Sequence, residues 1–166
     1  MKIKQNYLKV GFLLTALTLL PIAQPAMAKD QVPFKGVEVG DITGVAFDFP
    51  FATLLQTAEG EATHLGHYTL TGDFVVDVRF GTATGVFTLT AANGDKLFLN
   101  MEGHAVPTDL TKTVANFTVT GGTGRFEGAT GSYTSHNQLA FSVGTSPNPY
   151  LGVLEGTIST PGANKK

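Results

Sequence analysis

Histidines, tyrosines and scattered carboxylates are the side chains through which this 166-residue chain could do chemistry, because it contains no cysteine and no tryptophan. Glu59, Glu61 and His64 fall in one turn-rich stretch, with Tyr68 just beyond it. A carboxylate beside an imidazole poises it for proton transfer near neutral pH. Glu59, His64 and Tyr68 are therefore the candidate catalytic residues, set against the plainer reading of a solvated hairpin. His64 and His67 point to opposite faces of any continuous strand, so sharing a metal would need a bulge at Gly66. His104 and His136 belong to other segments, ligand spacing is missing, and no metal site is expected.

Other groups carry weaker signals. Asp77 and Arg79 alternate onto one strand face, as a lumen pair or, more commonly, as a solvent-side ion pair. Glu102 and Glu155 are single carboxylates, and an acid/base pair requires a separation that sequence does not give. Ser132, Ser135 and Ser142 lack a nucleophile-elbow context. Tyr68, Tyr133 and Tyr150 could reach a cavity with their polar tips, although a buried ring with one hydrogen bond is the commoner outcome.

The segment Thr120-Gly121-Gly122-Thr123-Gly124-Arg125-Phe126-Glu127-Gly128-Ala129-Thr130-Gly131 invites a dinucleotide-binding reading. That reading needs a helix opening at the loop to receive the pyrophosphate. The residues that follow are Gly- and Thr-rich, and Gly128 comes one position late for G-x-G-x-x-G. A tight connection with Phe126 plugging a barrel end is expected instead, and no cofactor is implied.

These residues must be positioned by strands. No helical stripe appears beyond residue 28; short β-rich runs recur between Gly, Asn and Asp. They cover 34–47, 51–59, 65–80, 84–91, 96–105, 111–120, 130–143 and 150–159, with Asn93-Gly94-Asp95 as a tight-turn signal. Alternation places Phe74, Val76, Val78 and Phe80 on one face, opposite Val75, Asp77 and Arg79. Leu97, Leu99 and Met101 share another face, with Phe98 out of pattern; Ala115, Phe117 and Val119 share a third. About eight sequential strands predict an all-β, eight-stranded antiparallel up-and-down β-barrel, with a sandwich as the alternative. An outer-membrane barrel fits poorly, since Arg79, Glu102, Lys112 and Glu155 fall within strands.

Residues 1–28 read as a cleaved secretory signal peptide, leaving 29–166 as a single barrel domain. Lys2, Lys4 and Lys9 precede the apolar run Val10–Leu20, and Ala26-Met27-Ala28 supplies a cleavage site. The apolar run is too short to span a membrane, and Lys29 rather than Cys follows, so no anchor remains after cleavage. Export to the periplasm or the exterior is expected. The mature chain keeps eight basic and thirteen acidic residues, a net charge of −5. With no basic stripe, nucleic acid is not an expected partner and anionic membranes are disfavoured.

Gly-Gly-Thr-Gly-Arg-Phe-Glu-Gly at 121–128, followed by Gly131, resembles the strand–turn–strand signature of allene oxide cyclases. Plant dirigent proteins share a related form, which Ala129, Gly131 and Tyr133 echo. With His64-Leu65-Gly66 and Asn93-Gly94-Asp95, the chain is most similar to exported bacterial members of this allene oxide cyclase-like, calycin-like group. The resemblance implies a hydrophobic barrel interior and assembly as a homo-oligomer. Its signature belongs to the wall, so it carries fold and leaves the activity open.

Three functions remain. The leading one is an exported barrel that binds a small apolar molecule in its lumen, prompted by the eleven mature phenylalanines. The second is a cyclase or isomerase that shapes a reactive hydrophobic substrate in a dry cavity, which needs few ionisable groups. The third is a structural or interaction protein whose barrel is filled.

Overall fold

Strict in–out alternation runs through the described part of the chain, residues 30–159 of a computed structural model. The expected leader at 1–28 lies outside the described residues. Eight strands follow one another: β1 (Val32–Asp48), β2 (Phe51–Ala62), β3 (Gly66–Asp77), β4 (Thr82–Ala91), β5 (Lys96–Val106), β6 (Asp109–Gly122), β7 (Gly131–Leu139) and β8 (Asn148–Ile158). Each pairs antiparallel with the next, and β8 closes on β1 in a register running from Val32↔Ile158 to Ile42↔Asn148. The sandwich alternative falls: every strand has two partners, and closure leaves no free edge.

The inward faces are those the alternation predicts. Leu97, Leu99 and Met101 face in from β5, and Ala115, Phe117 and Val119 from β6. Phe98 faces out beside a bulge between Phe98 and Leu99. One expectation is corrected. β3 ends at Asp77, because the backbone N–H groups of Phe80 and Gly81 both turn back to the Asp77 carbonyl. Val78 and Phe80 thus leave the inner face and stand exposed. The 130–143 run likewise ends as a strand at Leu139, where the chain enters the long β7–β8 loop.

Antiparallel order puts the β2–β3, β4–β5 and β6–β7 turns at one end, together with the paired Val32 and Ile158. This end is shut. Leu65 and Phe126 are buried under the turns, and the Arg125 guanidinium lies 4.8 Å above the Phe126 ring. Arg125 donates to the Leu65 carbonyl at 2.9 Å and faces Asp95 at 3.8 Å. Asn93-Gly94 makes the expected turn, with φ of +86° at Gly94, a value glycine adopts without steric cost.

Above this floor a chain of rings fills the barrel: Phe34 to Tyr133 at 5.0 Å, Tyr133 to Phe117 at 4.8 Å, Phe117 to Phe87 at 5.2 Å and Phe87 to Phe74 at 6.1 Å. Tilted, offset and edge-on contacts of this kind add about 0.5–1.5 kcal/mol per pair beyond buried area. The outer wall carries Lys35, Glu61, Asp73, Asn100, Glu102, Asn116 and Glu155, all exposed. Val37, Val39, Val86, Leu151 and Val153 are exposed on the same wall, so polar and apolar side chains share it, whereas a lipid-spanning barrel presents a continuous apolar band.

Candidate functional site

The ring stack stops short of the other end. There the lumen is hollow, a cavity of about 350 Å³ walled by Ile42, Leu54, Phe74, Val76, Met101 and Leu139. Ala52, Ala83, Ala105 and Ala115 occupy wall positions where larger side chains would close it. An eight-stranded barrel has just enough room for side chains to fill it or for one small ligand. This chain divides its length between the two.

Polar side chains converge where the hollow meets the filled half. Gln56, Thr113 and Asn137 line the cavity. Behind them sits Glu38, 2% exposed, whose two carboxyl oxygens accept from the Tyr68 hydroxyl at 2.9 Å and the Tyr150 hydroxyl at 3.0 Å. Gln56 donates one amide N–H to the Tyr150 oxygen at 2.6 Å, which leaves its second N–H and its carbonyl oxygen to meet a ligand. Ser135 donates to Asn137 at 2.7 Å, and Asn137 donates to Thr113 at 3.2 Å. Each buried polar group thereby has the partner that burial demands. Tyr133 departs from that rule: its hydroxyl is buried without one.

Burial pushes the Glu38 carboxyl above its ordinary range, opposed by the hydrogen bonds from Tyr68 and Tyr150. Burial also raises the Tyr68, Tyr133 and Tyr150 phenols, and the neighbouring Glu38 charge adds to the rise. A buried acid with a raised pKa can be kept neutral and act as a proton donor. The cluster thus offers a carboxyl group, three phenols and two amides in a water-poor setting, with Tyr150 and Gln56 in series linking the carboxyl to the cavity.

Of the candidates from sequence, Tyr68 lies in this cluster. Glu59 faces solvent from β2, and His64 sits exposed in the β2–β3 turn at φ +65°, so neither shares the lumen with Tyr68. His67, His104 and His136 are exposed as well. Among the described residues no group of three or more His, Asp or Glu could hold a metal. Asp77 and Arg79 form a solvent-side pair at 2.6 Å. Tyr133 and Tyr150 both turn into the barrel, and Ser135 is fully buried. The outer wall carries a shallow saddle of about 840 Å³, open to solvent, lined by Val39, Thr57 and Thr71 and by Asp41, Glu59 and Gln138.

Sequence reasoning missed Glu38, Gln56 and Asn137. The signal for Glu38 was present: Phe34, Gly36, Glu38, Gly40 and Ile42 share one β1 face, and the carboxyl is the odd member.

No family model matches the chain, and no curated protein matches it. Among solved structures it is similar to the pterocarpan synthase dirigent protein GePTS1, with a TM-score of 0.57 and 14% identity over 86% of this chain and 92% of that one. The pterocarpan synthase dirigent protein PsPTS1 gives a TM-score of 0.53 and 11% identity over 81% and 96%. The fold is a dirigent-like barrel. Identities this low carry architecture alone. In this dirigent-like barrel the glycine-rich segment at 121–131 ends β6, forms the floor turn around Phe126 and opens β7. That placement explains why the sequence signature reports the wall and leaves the cavity contents unspecified.

Proposed function

We propose that this chain is an exported dirigent-like barrel that holds one small, uncharged, mostly apolar molecule in the open half of its lumen. The observation that carries this reading is the 350 Å³ cavity, mostly apolar on its walls, with Gln56, Thr113 and Asn137 at its inner end and His104, Thr145 and Asn148 nearer the mouth. Such a site favours a ligand with an apolar body and one hydrogen-bonding group facing Gln56 and Asn137. No charged side chain lines its walls, so an ionised ligand would lose hydration without compensation. Export rests on the leader pattern at 1–28, which supports a periplasmic or extracellular barrel.

Displacement of a fluorescent apolar probe, alongside native mass spectrometry, tests this reading. Ala83→Leu and Ala115→Leu should each weaken probe binding by tenfold or more while the barrel stays folded. Unchanged binding in both would place the probe elsewhere and overturn the assignment.

A second reading is favoured by Glu38. A buried carboxyl with a raised pKa, joined to the cavity through Tyr150 and Gln56, supports proton-assisted ring closure or isomerisation of the bound molecule. The neighbours described as synthases support a reaction-shaping role of this type. Glu38→Gln should then abolish turnover of a bound substrate while leaving probe affinity within about threefold.

A further inference from the structure

The two ends of the barrel differ in surface chemistry. The closed-end turns hold Thr63, His64, Asn93, Asp95, Thr123 and Glu127. The open end is rimmed with exposed phenylalanine. Phe47, Phe49 and Phe51 flank the β1–β2 turn, Phe80 tops the β3–β4 turn, and Phe141 leads the β7–β8 loop, with exposures from 48% to 73%. Val45, Val78 and Val143 stand exposed beside them, and Leu110 marks the fourth hairpin. At about 200 Å² per ring, the five phenylalanines together present about 600 Å² of apolar surface, spread over separate hairpin tips at one end of the barrel.

We propose that this rim docks the barrel, mouth first, onto a zwitterionic lipid surface. Geometry selects lipid over a second copy of the chain. The rings stand on separate hairpin tips around an opening, so two rims face to face would set hole against hole. A fluid acyl boundary accepts each tip independently and needs no matching shape. The charges agree. Arg79 is held by Asp77 at 2.6 Å, with its guanidinium 5.2 Å from the Phe80 ring centre and 5.9 Å from that of Phe51. Lys112 is held by Asp109 at 2.8 Å. With its cations paired and Asp48 adding a carboxylate at the β1–β2 tip, the rim has no basic excess to select anionic headgroups. Arg79 has the arrangement of a headgroup-level residue, a charged head above an apolar ring.

Val78 and Val143 belong both to the rim and to the cavity lining, so apolar surface runs from the rim into the lumen beside His104, Thr145 and Asn148. Both ends of the described residues lie at the opposite, closed end. A docked barrel would exchange an apolar ligand with the membrane without exposing it to bulk water.

The absence of tryptophan makes single-Trp reporters clean. Phe80→Trp at the rim should shift to the blue and be quenched by brominated phosphatidylcholine vesicles, whereas Val153→Trp on the outer wall should do neither. The triple variant Phe47→Ser, Phe49→Ser, Phe80→Ser should lose vesicle co-flotation at least tenfold while keeping the wild-type melting transition. Adding phosphatidylglycerol should not strengthen binding. Failure of Phe80→Trp to respond at millimolar lipid would overturn the proposal. So would a rim-dependent dimer in light scattering whose formation excludes vesicles. Vesicle binding is read without any lumen ligand, so its failure would leave the ligand-binding reading standing.

Discussion

Glu38 and Gly152 are cross-strand partners on the inner wall, and the space left by the missing glycine side chain is occupied by the carboxyl-bearing arm. A Cβ at position 152 would meet Glu38 Cγ at 2.9 Å, Asn137 Oδ1 at 2.8 Å and Ser135 Oγ at 3.0 Å. The buried polar cluster therefore depends on an absent side chain as much as on those present. Gly152→Ala should destabilise the barrel by about 1–3 kcal/mol through overpacking. Urea unfolding measures this, and a wild-type midpoint would show that the cluster has slack.

The pH dependence of stability follows from opposite shifts at two carboxyls. Glu38 is raised above 4.5 in the folded chain, so that chain holds more protons than the unfolded one between 4.5 and the folded value. Its contribution is complete below 4.5 and is lost as pH rises through the folded value. Asp109 is held down at about 2 against 3.8, chiefly by hydrogen bonds from Lys112 and Thr111, so its contribution is present above 3.8 and lost on acidification. Glu38→Gln should flatten the decline in melting temperature above about pH 4.5 and leave the acid limb intact. A wild-type melting temperature that does not fall on the alkaline side would contradict this assignment.

Two tyrosines of the same lumen should respond oppositely to loss of the hydroxyl. Tyr68→Phe removes a donor from buried Glu38 and should cost about 1–3 kcal/mol. Tyr133→Phe removes a buried hydroxyl that has no partner, and should be neutral or stabilising by about 1 kcal/mol. Equal losses in the two variants would mean that the Tyr133 hydroxyl is satisfied in solution.

The floor depends on a single plug. Phe126 is fully buried beneath Arg125, and truncation to alanine should cost about 3–5 kcal/mol. Uptake of the apolar probe should stay within about threefold of wild type, because the ring stack from Phe34 to Phe87 still separates the floor from the cavity. Calorimetry together with probe titration checks both effects.

Architecture was legible in the sequence because a barrel wall repeats every two residues. Leu97, Leu99 and Met101 announce their face through local pattern alone. Strand ends were less legible: Val78 and Phe80 keep the alternation of β3, and only the hydrogen bonds to Asp77 take them out of the strand. The phenylalanines looked like cavity lining or filling. Five fill or line the lumen, five stand at the rim, and Phe98 faces out from β5, a partition set by how far each hairpin overshoots the barrel. The polar cluster was the least legible part. Glu38, Tyr68, Gln56, Asn137 and Tyr150 come from five strands, and only closure of β8 on β1 brings Tyr150 to Glu38, 112 positions away in the chain. Glu59, His64 and Tyr68 drew attention through sequence proximity, but a strand wall separates the outward Glu59 from the inward Tyr68.

The pairing of Val32 with Ile158 gives the barrel a back as well as a front. Both ends of the described residues lie behind the sealed floor, so a fusion partner or a surface tether joined at residue 31 or 159 would hold the barrel with its mouth facing away from the support. A short linker between residues 31 and 159 would circularise the fold, and new ends opened in the 123–130 turn would stay on the same rear face. The barrel is in this sense a cup with its handle at the base, and it can be gripped, displayed or permuted without touching the lip.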